Sequence, residues 1–159
     1  MNVEAKLEKL GLELPNLEDL YRTNSSGAHY ISHYPVQNLL YLSGTTPRRG
    51  GQPYLPGVVG KDLTLQQGYE AARLCGLNLL ATMRSELGSL DRVRQIVKML
   101  GMVNCAPGFD QTPPVINGCS DLFVEVFGDP GRHARSAVGM AELPSSIPVE
   151  IEVIVEVQE

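Results

Sequence analysis

The stretch VEIEVIVEV, residues 149–157, alternates with period two: Val149, Ile151, Val153, Val155 and Val157 fall on one side, and Glu150, Glu152, Ile154 and Glu156 on the other. On a helix both sets would be spread around the axis; on a strand they separate into an apolar face and an acidic one. A strand so divided must lay its apolar side against a partner layer, and the chain offers two helices for that purpose. From 63 to 87, Leu65, Tyr69, Ala72, Gly76, Leu79, Leu80, Met83 and Leu87 recur near every 3.6 residues, with Asp62 or Thr64 as candidate N-cap and Gly88 placed to stop the helix. A second helix reads from Thr112 as N-cap and Pro113 in its first turn. It carries Val115, Ile116, Cys119, Leu122, Phe123, Val126 and Phe127 on one stripe, with Gly128 behind.

Shorter β-like runs complete the pattern. Residues 28–34 and 37–43, separated by Pro35 and Val36 and closed by Ser43-Gly44, read as a hairpin. Residues 92–104 read as a strand whose alternation Gln95 and Lys98 interrupt, and a strand from 134 to 141 precedes the last one. The order is ββαβαββ, an α+β class with a mixed sheet and two helices on one face. At 159 residues the chain is one domain. Residues 1–23 read as an N-terminal helical extension, with Val3, Leu7 and Leu10 on one side and Pro15 ending it, joined by a polar linker around Asn24–Gly27. The Gly- and Pro-rich segment 46–62 is long for a connection, a feature of functional or mobile loops.

Thirteen basic against eighteen acidic residues give a net charge of −5, which opposes binding along a phosphate backbone, so no nucleic acid is expected as partner. Arg48-Arg49 reads as loop decoration. No basic-then-apolar leader opens the chain and nothing approaches the roughly 18 apolar residues of a membrane span, so a soluble, cytoplasmic protein without a membrane partner is expected. Cys75, Cys105 and Cys119 lack CxxC spacing and read as reduced thiols, neither a disulfide framework nor a zinc site. His29 and His33, four apart on a strand, would stand roughly 13 Å from each other, too far to share an ion. No metal and no cofactor are expected, and no nucleophile elbow, P-loop or dinucleotide fingerprint occurs. Ser43 reads as a strand-end hydrogen-bonding serine, and His133 as an exposed or packing histidine.

The segment HARSAVGMAELP, residues 133–144, poses a sharper question. Arg135 shares its strand side with Ala137, Gly139 and Ala141, which are too small to cover a guanidinium. Either a salt-bridge partner or a carboxylate ligand must meet it. The small residues also permit close approach by another subunit, which points to an oligomer with its sheets packed inward.

The run HARSAVGMAELPSSIPVEIEVIVEV resembles the terminal motif of the RidA/YjgF family, the reactive-intermediate imine deaminases also labelled endoribonuclease L-PSP. Tyr30, Ser43-Gly44, Gln66 or Gln67, the strand of the type IVKMLGMVN over 96–104, Asn117, Ala134-Arg135-Ser136, Leu143-Pro144 and Glu150-Ile151-Glu152 match the family's pattern, over about residues 27–157. The resemblance implies a chorismate-mutase-like fold and a homotrimer with sites in clefts between subunits. It also implies hydrolytic deamination of 2-imino or 2-enamino acids to 2-keto acid and ammonia, with neither metal nor covalent intermediate. Arg135 then inherits the role of carboxylate anchor and Glu150 that of orienting water. Tyr30 is expected to flank this small-molecule carboxylate substrate, Ser43 and Asn117 to line the cleft, and main-chain groups from Arg135 to Ala137 to touch the ligand. The chain departs from the pattern at Ala137, where the family often has cysteine, and at Arg132-His133, where it often has Phe-Pro. A metabolite-binding protein without turnover is the alternative, and a ribonuclease or translation inhibitor a lesser one.

Overall fold

The computed structural model describes residues 2–21 and 29–158; the linker expected at Asn24–Gly27 lies outside the described residues. Helix α1, Val3–Leu10, is followed by a short α2, Leu17–Tyr21, which the sequence pattern does not announce. Strands β1, His33–Val36, and β2, Leu39–Thr45, form the expected hairpin, and a small ribbon of β3, Arg48–Arg49, and β4, Gln52–Pro53, is built from the Gly- and Pro-rich segment. Then come α3, Leu65–Leu87, β5, Val93–Asn104, α4, Thr112–Phe127, β6, Ala134–Met140, and β7, Val149–Val157.

The main sheet has the order β1-β2-β7-β5-β6, antiparallel except for the β5–β6 pair. That parallel pair requires a crossover, and α4 supplies it. The last strand therefore sits at the centre of the sheet, between β2 and β5. Its alternation is realised as expected: Val149, Ile151, Val153 and Val155 are buried and Glu152 is exposed. The buried row meets α3 and α4 in one core with Leu79, Leu80, Met83, Ile116, Leu122 and Phe123. The two helices pack closely because Gly118 has no side chain: a Cβ there would fall on the Tyr69 carbonyl oxygen.

Local chemistry explains the ends of the elements. Thr64, not Asp62, caps α3: its hydroxyl accepts from Gln67 N while the Gln67 side chain accepts from Thr64 N, a reciprocal capping box. Asp62 instead accepts from Val58 N within the preceding turn. Gly88 takes the left-handed conformation that ends the helix.

Three expectations need correction. The hairpin turns at Gln37-Asn38, not at Pro35-Val36: Val36 pairs with Leu39 and His33 with Leu42, and the first strand begins at His33 rather than at 28. Pro35 is tolerated because β1 lies at the sheet's edge, where its missing N–H costs no ladder bond. Thr112 is the first residue of α4 and not its cap; Gln111 occupies the cap position, and the Thr112 hydroxyl donates to the Ala137 carbonyl. The small residues of β6 face the chain's own helix layer rather than another subunit. Ala137 packs against the core, and a Cβ at Gly139 would meet Cys105 Sγ and Thr112 Cγ2. Ala141 lies beyond the strand.

The N-terminal extension is part of the same body. Asp91 accepts from Val3 N at 2.6 Å and Glu4 accepts from Leu90 N at 3.0 Å, so α1 and the turn after α3 satisfy each other's free N–H groups. Among the described residues no helix is long and apolar enough to cross a membrane.

Candidate functional site

Arg135 lies on β6, an edge strand, opposite Met99 of β5, which in turn pairs with Val153 of β7. Met99 and Val153 belong to the core, so Arg135 points to the helix side of the sheet. There its Nη1 donates to Asn117 Oδ1 at 2.8 Å and to Ser120 Oγ at 2.9 Å, both on α4. Neither acceptor carries charge. No carboxylate among the described residues forms an ion pair with Arg135, so the salt-bridge alternative fails and the half-buried guanidinium rests on neutral acceptors alone. A guanidinium so placed can donate two parallel hydrogen bonds to an anion with two oxygens in a plane.

Asn117, which the resemblance implies as a cleft-lining residue, accepts from Arg135, and two further residues join the cluster: Ser120, and His133, which the sequence reads as an exposed or packing histidine. His133 Nε2 lies 3.1 Å from Ser120 Oγ, and its Nδ1 lies 2.7 Å from the Gly131 carbonyl. The ring stands edge-on to Phe123 with centroids 6.2 Å apart. Burial, opposed by the Gly131 hydrogen bond and reinforced by the neighbouring Arg135 charge, lowers its pKa. Asn117 and Ser120 stand three apart on one helical face, but their meeting with Arg135 and His133 arises only where α4 lies across β6. Ala137 is near, but its carbonyl is already engaged by Thr112.

Glu150 belongs to a different neighbourhood. It follows Val149 and precedes Ile151, both buried on the helix side, so it leaves β7 on the open face, opposite Met102. A bulge in β2 between Leu42 and Thr45 brings Ser43-Gly44 beside it, and the side chain of Glu150 packs where a Gly44 Cβ would otherwise stand. Burial, and then the nearby Glu152 charge, raise the Glu150 pKa. Ser43 Oγ donates to the Ile31 carbonyl at 2.6 Å, next to Tyr30, which is 57 % exposed. Ser43 is therefore a strand-end hydrogen bonder as expected, and the Ser43-Gly44 bulge lies beside Glu150.

Arg135 and Glu150 thus occupy two separate neighbourhoods, two candidate half-sites. Arg135 and Glu150 are separated by two strand spacings and three residues along the strands, roughly 14 Å between backbones, and they project from opposite faces. Within one chain the cationic anchor and the carboxylate do not meet.

The remaining candidates have structural occupations. His33 pairs with Glu86 at 2.7 Å, Arg49 stacks on Tyr54 at 4.5 Å, and among the described residues no group of three His, Cys, Asp or Glu is placed to hold a metal ion. Cys75 and Cys119 are fully buried, and burial raises both thiol pKa values, which keeps them protonated and inert. On the open face, a concavity of about 410 Å³ is lined by Tyr41, Lys98, Leu100, Ser136 and Glu152.

Comparison with known proteins places these half-sites in context. The model of the family described as YjgF/chorismate mutase-like, putative endoribonuclease, matches residues 4–152. Protein TCP17 of Trypanosoma cruzi is 39% identical over 155 residues, covering 97% of this chain and 93% of its own. The structure of Atu1372 from Agrobacterium tumefaciens, of unknown function, superposes with a TM-score of 0.85 at 40% identity, covering 98% of this chain and 92% of that one. A Shewanella oneidensis structure, described in the same terms as the family, superposes at 0.89 with 30% identity, covering 99% and 100%.

Proposed function

The chain belongs to the YjgF/chorismate-mutase-like family, and on that premise we propose that it hydrolyses 2-imino acids, or their enamine tautomers, to 2-keto acids and ammonia at sites shared between the subunits of a homotrimer. The observation that carries this reading is Arg135, a half-buried guanidinium held by two neutral acceptors and met by no acid among the described residues. It offers a substrate carboxylate two parallel charge-assisted hydrogen bonds, which a lysine cannot reproduce.

The second half-site supplies the base. Water adds through oxygen to the carbon of the protonated imine while Glu150 takes one of its protons. Glu150 returns that proton to nitrogen, the C–N bond breaks, and the hydroxyl proton passes to the departing nitrogen, leaving 2-keto acid and ammonium. A carboxylate with a raised pKa is better matched to this transfer than an unperturbed one. Imines hydrolyse readily in water, so orientation supplies most of the rate and no covalent nucleophile is required.

Assembly follows from the separation of the half-sites, since Arg135 of one chain and Glu150 of another can face the same cleft where Arg135 and Glu150 of a single chain cannot. The open sheet face supports packing between copies: it exposes the large apolar side chains Tyr34, Val36, Tyr41 and Val138, at 62%, 44%, 42% and 40%.

The test generates an imino acid in place with an amino-acid oxidase and follows ammonia release. Wild-type protein is expected to accelerate release, and Arg135→Ala to abolish the acceleration by a loss of at least about 2 kcal/mol of charge-assisted binding. Equal decay with and without protein overturns the enzymatic reading; tight 2-keto acid binding in that case identifies a binding protein. Cleavage of RNA that persists at high salt identifies the ribonuclease of the family description instead.

A further inference from the structure

We propose that Ser120 and His133 are positioning residues that hold the Arg135 guanidinium so that its Nε–Nη2 edge is the one presented to a ligand carboxylate. The proposal rests on the reading of Arg135 as the anchor and assigns the groups that aim it.

Hydrogen-bond directions leave little freedom in the cluster. The Gly131 carbonyl can only accept, so its 2.7 Å contact with His133 Nδ1 places the ring proton on Nδ1. In the neutral ring Nε2 is then a bare acceptor, 3.1 Å from Ser120 Oγ. The hydroxyl donates to it and turns its lone pairs toward Arg135 Nη1, 2.9 Å away. The weaker alternative for that hydroxyl proton, Met99 Sδ, lies at 3.9 Å. Burial and the Arg135 charge both disfavour a second positive charge on His133, which preserves the bare Nε2.

Asn117 Oδ1, at 2.8 Å, takes the other proton of the same Nη1. Both Nη1 donors are therefore spent on α4, and among the described residues neither Nε nor Nη2 has a hydrogen-bond partner. Three donors remain, and two of them, Nε–H and one Nη2–H, are parallel and spaced for the two oxygens of a carboxylate. With one end of the fork pinned, the ligand edge is set before binding, which reduces the ordering cost of binding.

The experiment combines nitrogen-15 NMR of the arginine guanidinium groups with kinetics on an imino acid generated in place and titration with 2-ketobutyrate as the carboxylate probe. In wild-type protein Nη1 and Nη2 of Arg135 give separate signals, because rotation about Cζ is held. Ser120→Ala and His133→Phe merge them, and His133→Gln, whose amide oxygen replaces Nε2 as acceptor, keeps them apart. KM for the imino acid and Kd for 2-ketobutyrate rise roughly tenfold in the first two variants while kcat stays within about threefold, since the hold serves ground state and transition state alike. The glutamine variant returns KM to near the wild-type value.

Separate signals and an unchanged KM in both Ser120→Ala and His133→Phe overturn the proposal. Ser120→Ala leaves the ring and its packing in place, so that arm decides the matter even where His133→Phe fails to fold. Loss of the signal pattern in these variants, in a wild-type protein that neither binds 2-ketobutyrate nor turns over imine, supports the positioning relation and defeats the deaminase reading alone.

Discussion

In the proposed role of Glu150 as base, function and stability pull in opposite directions. Its folded pKa is raised, by burial foremost and by Glu152 next, so between the unfolded value near 4.5 and the folded one the native state binds more protons than the unfolded chain. Stability therefore falls as pH rises through that window, and the ionised carboxylate weakens the fold above it. Glu150→Gln is expected to raise the Tm at pH 7 relative to wild type and to leave it nearly unchanged at pH 4, while removing the acid limb of kcat/KM. A melting series from pH 4 to 7 beside a pH–rate profile checks both signs. Gly44 gives a second prediction. A methyl there would occupy the position of the Glu150 carboxylate, and Gly44 has no left-handed φ that alanine would strain. Gly44→Ala should lower kcat roughly tenfold or more by displacing the base while the fold survives, a combination that ammonia release and circular dichroism together resolve. At this scale the sequence was informative about chemistry and silent about company. Arg135 among small neighbours announced an uncovered cation, but nothing in the alternation indicated that Ser120 and His133 would close around it, because those contacts arise only when α4 lies across β6.

Elements were legible where a single period ran uninterrupted and a cap residue closed it. The α3 pattern narrows its start to Asp62 or Thr64 and its end to Gly88, because capping residues and a left-handed glycine are local chemistry, and the capping box with Gln67 decides for Thr64. The β1–β2 turn was misplaced because Pro35 is a strong turn signal in isolation, and only the edge position of β1 makes it harmless within a strand. Thr112 before Pro113 reads as a cap on similar local grounds, whereas its hydroxyl serves Ala137 across the crossover. Helix α1 shows what an appended element needs in order to count as part of the domain. Leu7 is 2% exposed and enters the common core, while the Glu4–Arg84 pair at 3.7 Å is partly exposed and contributes little. Leu7→Ala should therefore cost about 2–4 kcal/mol in urea unfolding, and Glu4→Ala less, through the lost cap on Leu90 N.

For the whole molecule the decisive fact is the parity of the sheet. The chain leaves β6 with Arg135 facing the helices and returns along β7 with Glu150 facing the open side, and the irregular turn over residues 141–148 hides the change of face from any count along the sequence. Sequence reasoning could name both residues and could not tell that one chain keeps them apart. If each working site takes Arg135 from one protomer and Glu150 from its neighbour, two inactive variants can repair each other. Arg135→Ala chains supply the intact carboxylate and Glu150→Gln chains the intact guanidinium, so random trimers made from equal amounts of the two should hold intact sites at about one quarter of their interfaces. Co-expression of the two variants with different affinity tags and purification through both tags removes the homotrimers, so the mixed assemblies should hold intact sites at about one third of their interfaces, which ammonia release measures directly. Activity near that fraction, against none for either variant alone, places the two groups on different chains. Mixed assemblies as inactive as their parents would require the two groups to act from the same chain, across a sheet that separates them.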